Sequence, residues 1–208
     1  MTETKLRQRQ NRKPSKIAAE RKQDLIEAAI RDISAHGYDA VTVATICEEA
    51  GFSRGLIGHY FKGKDELLLE AVREVASRLG QAISSAVQGA GSDPIDRLHA
   101  LINASFSPPG QTKENVAVWV ALTSAARLSP ILGEIYRDIW RAYRSEVSEL
   151  FKRAAKEKSI KLDAARTALT FSQLVEGLWI GGAADPESIS PKNAAACCHD
   201  YVNRVLET

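Results

Sequence analysis

Beyond its first sixteen residues, this chain places its apolar side chains three and four apart in every segment, and glycine or proline closes most of the runs. No stretch alternates apolar and polar residues as a half-buried strand does. Leu25, Ile26, Ala29, Ile30 and Ile33 define a first helix that His36-Gly37 ends, glycine being the residue that accepts the left-handed conformation past a helix terminus. Val43, Ile46, Cys47 and Ala50 make a short second helix, with Thr42 as its N-cap and Gly51 as its stop. Ser53 is placed to cap a third, carrying Leu56, Ile57, Tyr60 and Phe61. A long fourth helix runs from Gly63 past Leu67, Leu68, Ala71, Val72, Val75, Leu79, Ile83 and Val87 to the break at Gly89-Ala-Gly-Ser-Asp-Pro. A fifth spans Pro94 to Phe106, three more are bounded by Leu128-Ser-Pro, Lys158-Ser159 and Ala184-Asp-Pro, and a last one spans Pro191 to Leu206. The expected fold is all-α with about nine helices. Its expected divisions are a flexible basic arm at 1–16, a three-helix domain at 17–64 and a larger helical bundle at 65–208.

The net charge of +2 over 208 residues says little, but its distribution says more. Residues 1–64 hold 12 basic against 8 acidic side chains, and the remainder holds 16 against 18. Positive charge is thus concentrated at the front, as a DNA-binding half requires, although solubilising tails look alike. A non-specific, nucleoid-type DNA binder would need basic surface along the whole chain. The arm carries Lys5, Arg7, Arg9, Arg12, Lys13 and Lys16 with few apolar anchors. Three cysteines, Cys47, Cys197 and Cys198, fit neither a secreted disulfide framework nor a zinc site. The start lacks a signal-peptide core, and no run approaches about 18 apolar residues. The expectation is a cytoplasmic protein with no membrane partner, no metal and no cofactor. Catalysis is disfavoured: His36, His59, His99 and His199 have no ligand spacing, and neither a nucleophile elbow nor a glycine-rich phosphate loop is present.

The most specific constellation is Thr42 to Phe61, which reads as helix, tight turn at Gly51, helix. Ile46, Ala50, Phe52, Ile57 and Phe61 can pack on the first helix, leaving Ser53, Arg54, Gly55, Gly58, His59 and Tyr60 outward. In a helix-turn-helix the start of the second helix reaches base edges in the major groove. Arg54 suits guanine, whose O6 and N7 match the guanidinium fork, and Gly55 lets the backbone lie close to DNA. His59, Tyr60 and Lys64 are placed to donate to phosphates. An ordinary helical hairpin with a solvated arginine would show much of the same pattern.

The stretch Asp39 to Leu68 resembles the signature of the TetR family of regulators, through Ala50, Gly51, Ser53, Gly55, Tyr60, Phe61, Lys64, Asp65, Leu67 and Leu68. The resemblance implies a ligand-responsive transcriptional regulator, with Thr42, Ser53, Arg54, Gly55, Leu56, His59, Tyr60 and Lys64 as its DNA-binding set. The partner it implies is a double-stranded, palindromic operator, read by a homodimer that pairs through its last two helices, about 163–183 and 191–206. The mode of control is expected to be repression, with activation as the alternative. Gly58 stands where many members carry an aromatic, so a phosphate contact from that side chain is missing. A narrower similarity, to BetI-type repressors of glycine-betaine synthesis from choline, rests on Gly-Leu-Ile-Gly-His-Tyr-Phe, Trp119-Val-Ala-Leu, Leu128-Ser-Pro-Ile-Leu and Glu176-Gly-Leu-Trp-Ile. Thr123 stands where that subgroup often has a second aromatic.

In the larger half, Trp119, Tyr136, Trp140, Tyr143, Phe171 and Trp179 lie on three helices, and Glu176 precedes Trp179 by three residues. Rings converging on one cavity hold a quaternary ammonium by cation–π attraction, with Glu176 as counter-charge. The same rings also serve simply as core, each polar edge finding a partner. These seven residues are the candidate effector site, for a choline-like or a hydrophobic small molecule. Gly181-Gly-Ala-Ala and Ala194-Ala-Ala-Cys-Cys permit close helix approach in a dimer or within one chain, and both C-terminal cysteines are expected as packed thiols.

Overall fold

The computed structural model describes residues 12–207, in nine α-helices and, among the described residues, no strand. They are α1 (Arg12–His36), α2 (Val43–Ala50), α3 (Arg54–Tyr60), α4 (Lys64–Gly89), α5 (Pro94–Ser105), α6 (Lys113–Ala125), α7 (Pro130–Glu157), α8 (Ala164–Ala184) and α9 (Pro191–Glu207). Lys5, Arg7 and Arg9 of the expected basic arm lie outside the described residues. Helix α1 begins at Arg12, inside the stretch expected as arm. Pro14 falls in its first turn, where a missing N–H leaves no intrahelical bond unmade.

Two compact units meet between Val72 and Arg73, within α4. The division between compact units falls eight residues, about two helical turns, after the boundary expected ahead of Asp65, with Leu67, Leu68, Ala71 and Val72 as buried residues of the first unit. That unit's core joins Leu25, Ile30 and Ile33 of α1 to Ile46, Ile57 and Phe61. Its two connecting turns follow local chemistry. Thr42 caps α2 with a full capping box, and Gly51 closes α2 at φ +68. The Gly51 N–H donates to the Glu48 carbonyl (3.2 Å) and the Phe52 N–H to Cys47 (2.9 Å), the paired bonds of a Schellman motif. Arg31 and Glu49 form an exposed ion pair between α1 and α2 at 2.6 Å.

In the second unit α8 packs against α6, α7 and α9, while α5 packs against α7 and α9. Side-chain caps start four of these helices: Asp93 on α5, Thr112 on α6, Ser129 on α7 and Asp163 on α8. At the centre Phe151 and Phe171, both fully buried, meet edge to face at 5.9 Å. Gly181 and Gly182, expected as a place for close helix approach, hold Ile189 of the same chain. A Cβ at Gly181 would lie 2.8 Å from the Ile189 side chain, and one at Gly182 would lie 2.9 Å from its carbonyl oxygen. Cys198 is a packed thiol whose pKa burial pushes up to about 12; Cys197, expected alike, is exposed. Among the described residues no helix is long and apolar enough to cross a membrane.

Candidate functional site

Two places gather the residues singled out by sequence, one in each unit. In the first, α3 follows α2 after three residues and turns its polar edge outward. Ser53, Arg54, Gly55, Gly58 and His59 are exposed, while Leu56, Tyr60 and Lys64 are half-buried. Ser53 stands at the N-cap position of α3, yet its side chain makes no capping bond. Arg54 has no ion-pair partner among the described residues. Lys64 donates to the Val41 carbonyl oxygen at 3.0 Å, which leaves its ammonium two further donors. Thr42 is exposed at the start of α2, and its hydroxyl oxygen accepts the Thr45 N–H at 3.1 Å.

The glycines of α3 are informative. A Cβ built on Gly55 or on Gly58 would meet nothing within 4 Å. Each glycine costs its helix about 1 kcal/mol relative to alanine, and nothing inside the chain requires either of them. The two glycines leave the exposed edge of α3 bare beside the Arg54 guanidinium.

The second place is a small, largely apolar cavity in the larger unit. Trp119 of α6, Ile139, Trp140 and Tyr143 of α7, and Val175, Glu176 and Trp179 of α8 line it, together with Leu79, Ile83 and Ser105. Trp119 sits at the hub. Its ring lies 5.7 Å from Trp140 and 6.4 Å from Trp179, both edge-on, and stacks on Tyr136 at 6.0 Å. Tyr136 is not itself on the wall. It holds Glu176, donating its hydroxyl to Oε1 at 2.6 Å while Gln173 donates to Oε2 at 3.2 Å. Burial first, and the Glu176 carboxyl second, raise the Tyr136 phenol above its ordinary range and keep the donated proton in place. Glu176 is therefore buried (6% exposed), with two neutral donors and no ion-pair partner among the described residues, although the Arg144 charge is felt at the Tyr136 hydroxyl beside it.

Phe171 departs from the expected set. It is fully buried between Phe151 and Tyr201, away from the cavity. It shares α8 with Trp179, but eight residues, about 12 Å of helix rise, separate the two. The sequence reading missed Leu79, Ile83, Ser105, Ile139 and Val175. Leu79 and Ile83 stood in the apolar stripe of α4, but nothing in a stripe shows which cavity it faces. Ser105 was found by no signal, yet its carbonyl oxygen accepts the Trp179 indole N–H at 3.0 Å and ties α8 to α5.

Comparison with known proteins gives two family matches. Residues 25–71 match the bacterial regulatory proteins of the tetR family, and residues 94–207 match the C-terminal domain of BetI-type transcriptional repressors. The chain is 33% identical over 182 residues to the HTH-type transcriptional regulator BetI of Brucella anthropi, covering 88% of this chain and 91% of that protein. Among solved structures, a putative transcriptional regulator from Pseudomonas aeruginosa PAO1 aligns with a TM-score of 0.81 at 29% identity, over 91% of each chain. A putative regulator from Saccharomonospora viridis, solved in complex with choline, shares the fold at a TM-score of 0.80 and 23% identity, over 89% of this chain and 96% of that one.

Two polar atoms of the aromatic cluster, the Trp140 indole N–H and the Tyr143 hydroxyl, are buried without a hydrogen-bond partner. The Ser105 hydroxyl beside Tyr143 is committed to the Leu101 carbonyl at 2.8 Å. Tyr143→Phe should therefore leave stability at neutral pH unchanged or raise it by about 1–3 kcal/mol in urea unfolding. Burial also raises the Tyr143 phenol far above its ordinary value of 10. The stability that follows is complete below pH 10 and is lost as pH climbs toward the raised value, because the unfolded chain gives up the proton first. The variant should lose less stability than the parent between pH 9 and about 11. A loss of more than 1 kcal/mol at neutral pH would mean the hydroxyl has a partner.

Proposed function

This chain belongs to the tetR family of bacterial regulatory proteins, with a C-terminal domain of the BetI repressor type, and on that footing we propose that it is a homodimeric repressor which a small quaternary-ammonium effector lifts from a palindromic operator. Transcriptional regulation follows from the family. The effector, the dimer, the cytoplasmic location and the residues that carry them are the proposed part.

The observation that carries the effector reading is Glu176. A carboxyl group buried against Trp119, Trp140 and Trp179, with only neutral donors, offers what a soft organic cation needs: one counter-charge and several ring faces. Choline and betaine aldehyde, the small cations of the pathway that BetI-type repressors govern, are the first candidates. A cation held there lies against Leu79 and Ile83 of α4, which form part of the wall. Control requires only that it bind one arrangement of that wall better than another. Helix α4 supplies residues to both units and is the proposed carrier of the change. A second reading, a hydrophobic effector, is favoured by the otherwise apolar wall.

In the DNA-binding unit the proposed reader is Arg54, with Gly55 allowing close approach and Thr42, Ser53, Leu56, His59, Tyr60 and Lys64 around it. Two such units must be set about 34–36 Å apart to enter successive major grooves, and this is the work assigned to the dimer. Helices α8 and α9 are its proposed interface, with Leu169 of α8 exposed on it.

Arg54→Ala should lose about 1–3 kcal/mol of operator binding and much less on random DNA, in titrations at one salt concentration. An equal loss on both would reduce Arg54 to a phosphate contact. Calorimetry tests the effector: choline should give a saturable heat with the parent, and Glu176→Gln and Trp119→Ala should each weaken it. No heat with choline or betaine aldehyde would leave the hydrophobic reading, and undiminished binding by both variants would place the cation elsewhere.

A further inference from the structure

We propose that Asp32 and Thr45 are positioning residues for DNA binding, which hold Thr42 in place with its hydroxyl free to donate to a backbone phosphate. The inference rests on the reading that Thr42 meets DNA. It starts from an anomaly in the core of the first unit. Asp32 is 4% exposed on α1, among Ala28, Ala29 and Ile33, which are exposed by 1% or less. An apolar residue would serve that packing better, because a buried carboxyl group costs stability unless hydrogen bonds meet it. Both of its oxygens are met. Oδ1 lies 2.7 Å from His36 Nδ1, and Oδ2 accepts the Thr45 hydroxyl at 2.5 Å.

Thr45 is the third residue of α2 and the second member of the capping box. That place is usually taken by glutamate or glutamine, whose long side chain reaches back to the N-cap N–H. Threonine is short and its hydroxyl has one proton. Three acceptors lie within reach of it: Asp32 Oδ2 at 2.5 Å, the Thr42 carbonyl at 2.9 Å and the Thr42 hydroxyl oxygen at 3.2 Å. The carboxyl oxygen is the nearest and the strongest of the three. With the proton drawn toward Asp32, a lone pair of Thr45 Oγ1 faces Thr42 and accepts its N–H at 3.0 Å.

The consequence falls on Thr42. Its hydroxyl oxygen accepts the Thr45 N–H at 3.1 Å, and among the described residues the only acceptor for its own proton is Thr45 Oγ1 at 3.2 Å, long for a hydroxyl donor. Thr42 is exposed. A phosphate oxygen, charged and able to approach to about 2.7 Å, takes that proton more strongly. Asp32, through Thr45, thus fixes a donor that the chain itself leaves over.

The test is operator binding by fluorescence anisotropy, with folding followed by circular dichroism. Thr45→Val keeps the shape and removes the hydroxyl, and it should weaken binding by about three- to tenfold. Thr45→Ser keeps the hydroxyl and should bind within about twofold of the parent. Thr42→Val should weaken binding at least as much as Thr45→Val, and the double variant should be no weaker than Thr42→Val alone, since Thr45 acts through Thr42. Three results overturn the inference while leaving Thr42 at the DNA: Thr45→Val equal to the parent, Thr45→Ser as weak as Thr45→Val, or losses that multiply in the double variant. Thr42→Val binding like the parent would remove the phosphate contact and the inference together.

Discussion

A carboxyl group taken out of water needs hydrogen bonds, opposite charge or both. Glu176 has the first, from Tyr136 and Gln173, and forms no ion pair among the described residues. The cluster around it follows from that need. Tyr136 is held by the bond it donates to Glu176 and is stacked on Trp119, which in turn meets Trp140 and Trp179 edge-on. Trp179 is anchored to the Ser105 carbonyl, so α5, α6, α7 and α8 are all joined through one group of rings. On the proposed reading, a cation admitted there meets Glu176 and the three tryptophans of the wall, and its entry disturbs packing shared by these helices and by α4, whose Leu79 and Ile83 are also on the wall.

The smaller unit is governed by hydrogen bonds at helix ends. Two turns fix it: the Thr42–Thr45 capping box before α2 and the Gly51 Schellman turn after it. Between them they set where α3 starts, and with it the exposed edge of Arg54, Gly55, Gly58 and His59. Asp32 extends the same arrangement into the core, joining the end of α1, through His36, to the start of α2. The surface residues proposed to meet DNA are few, and the bonds that place them lie behind them.

Much of this was legible in the residues. Helix bounds were readable because caps are local: Thr42, Gly51, Pro94, Pro130 and Pro191 mark ends by their own backbone chemistry. Glu176 and Trp179 could be paired by their spacing of three on one helix. Other features depended on tertiary contacts that no periodicity encodes. Phe171 shares a helix with the cavity residues but packs between Phe151 and Tyr201 instead. Gly181 and Gly182 suited close approach either between subunits or within one chain, and only the structure shows that they hold Ile189 of the same chain. Asp32, next to Arg31 and two residues before Ser34, carries no sequence signal of burial; its two partners, four and thirteen residues away, account for it.

The central claim is that filling the cavity beside Glu176 weakens the grip on DNA. Its most direct test is the affinity of the intact protein for its operator, measured by anisotropy with and without saturating choline, on the parent and on Glu176→Gln. The account predicts about 5- to 150-fold weaker operator binding by the liganded parent, and little or no change in the variant at the same choline concentration. Operator affinity that stays constant while choline demonstrably binds, or an equal response from Glu176→Gln, would contradict it.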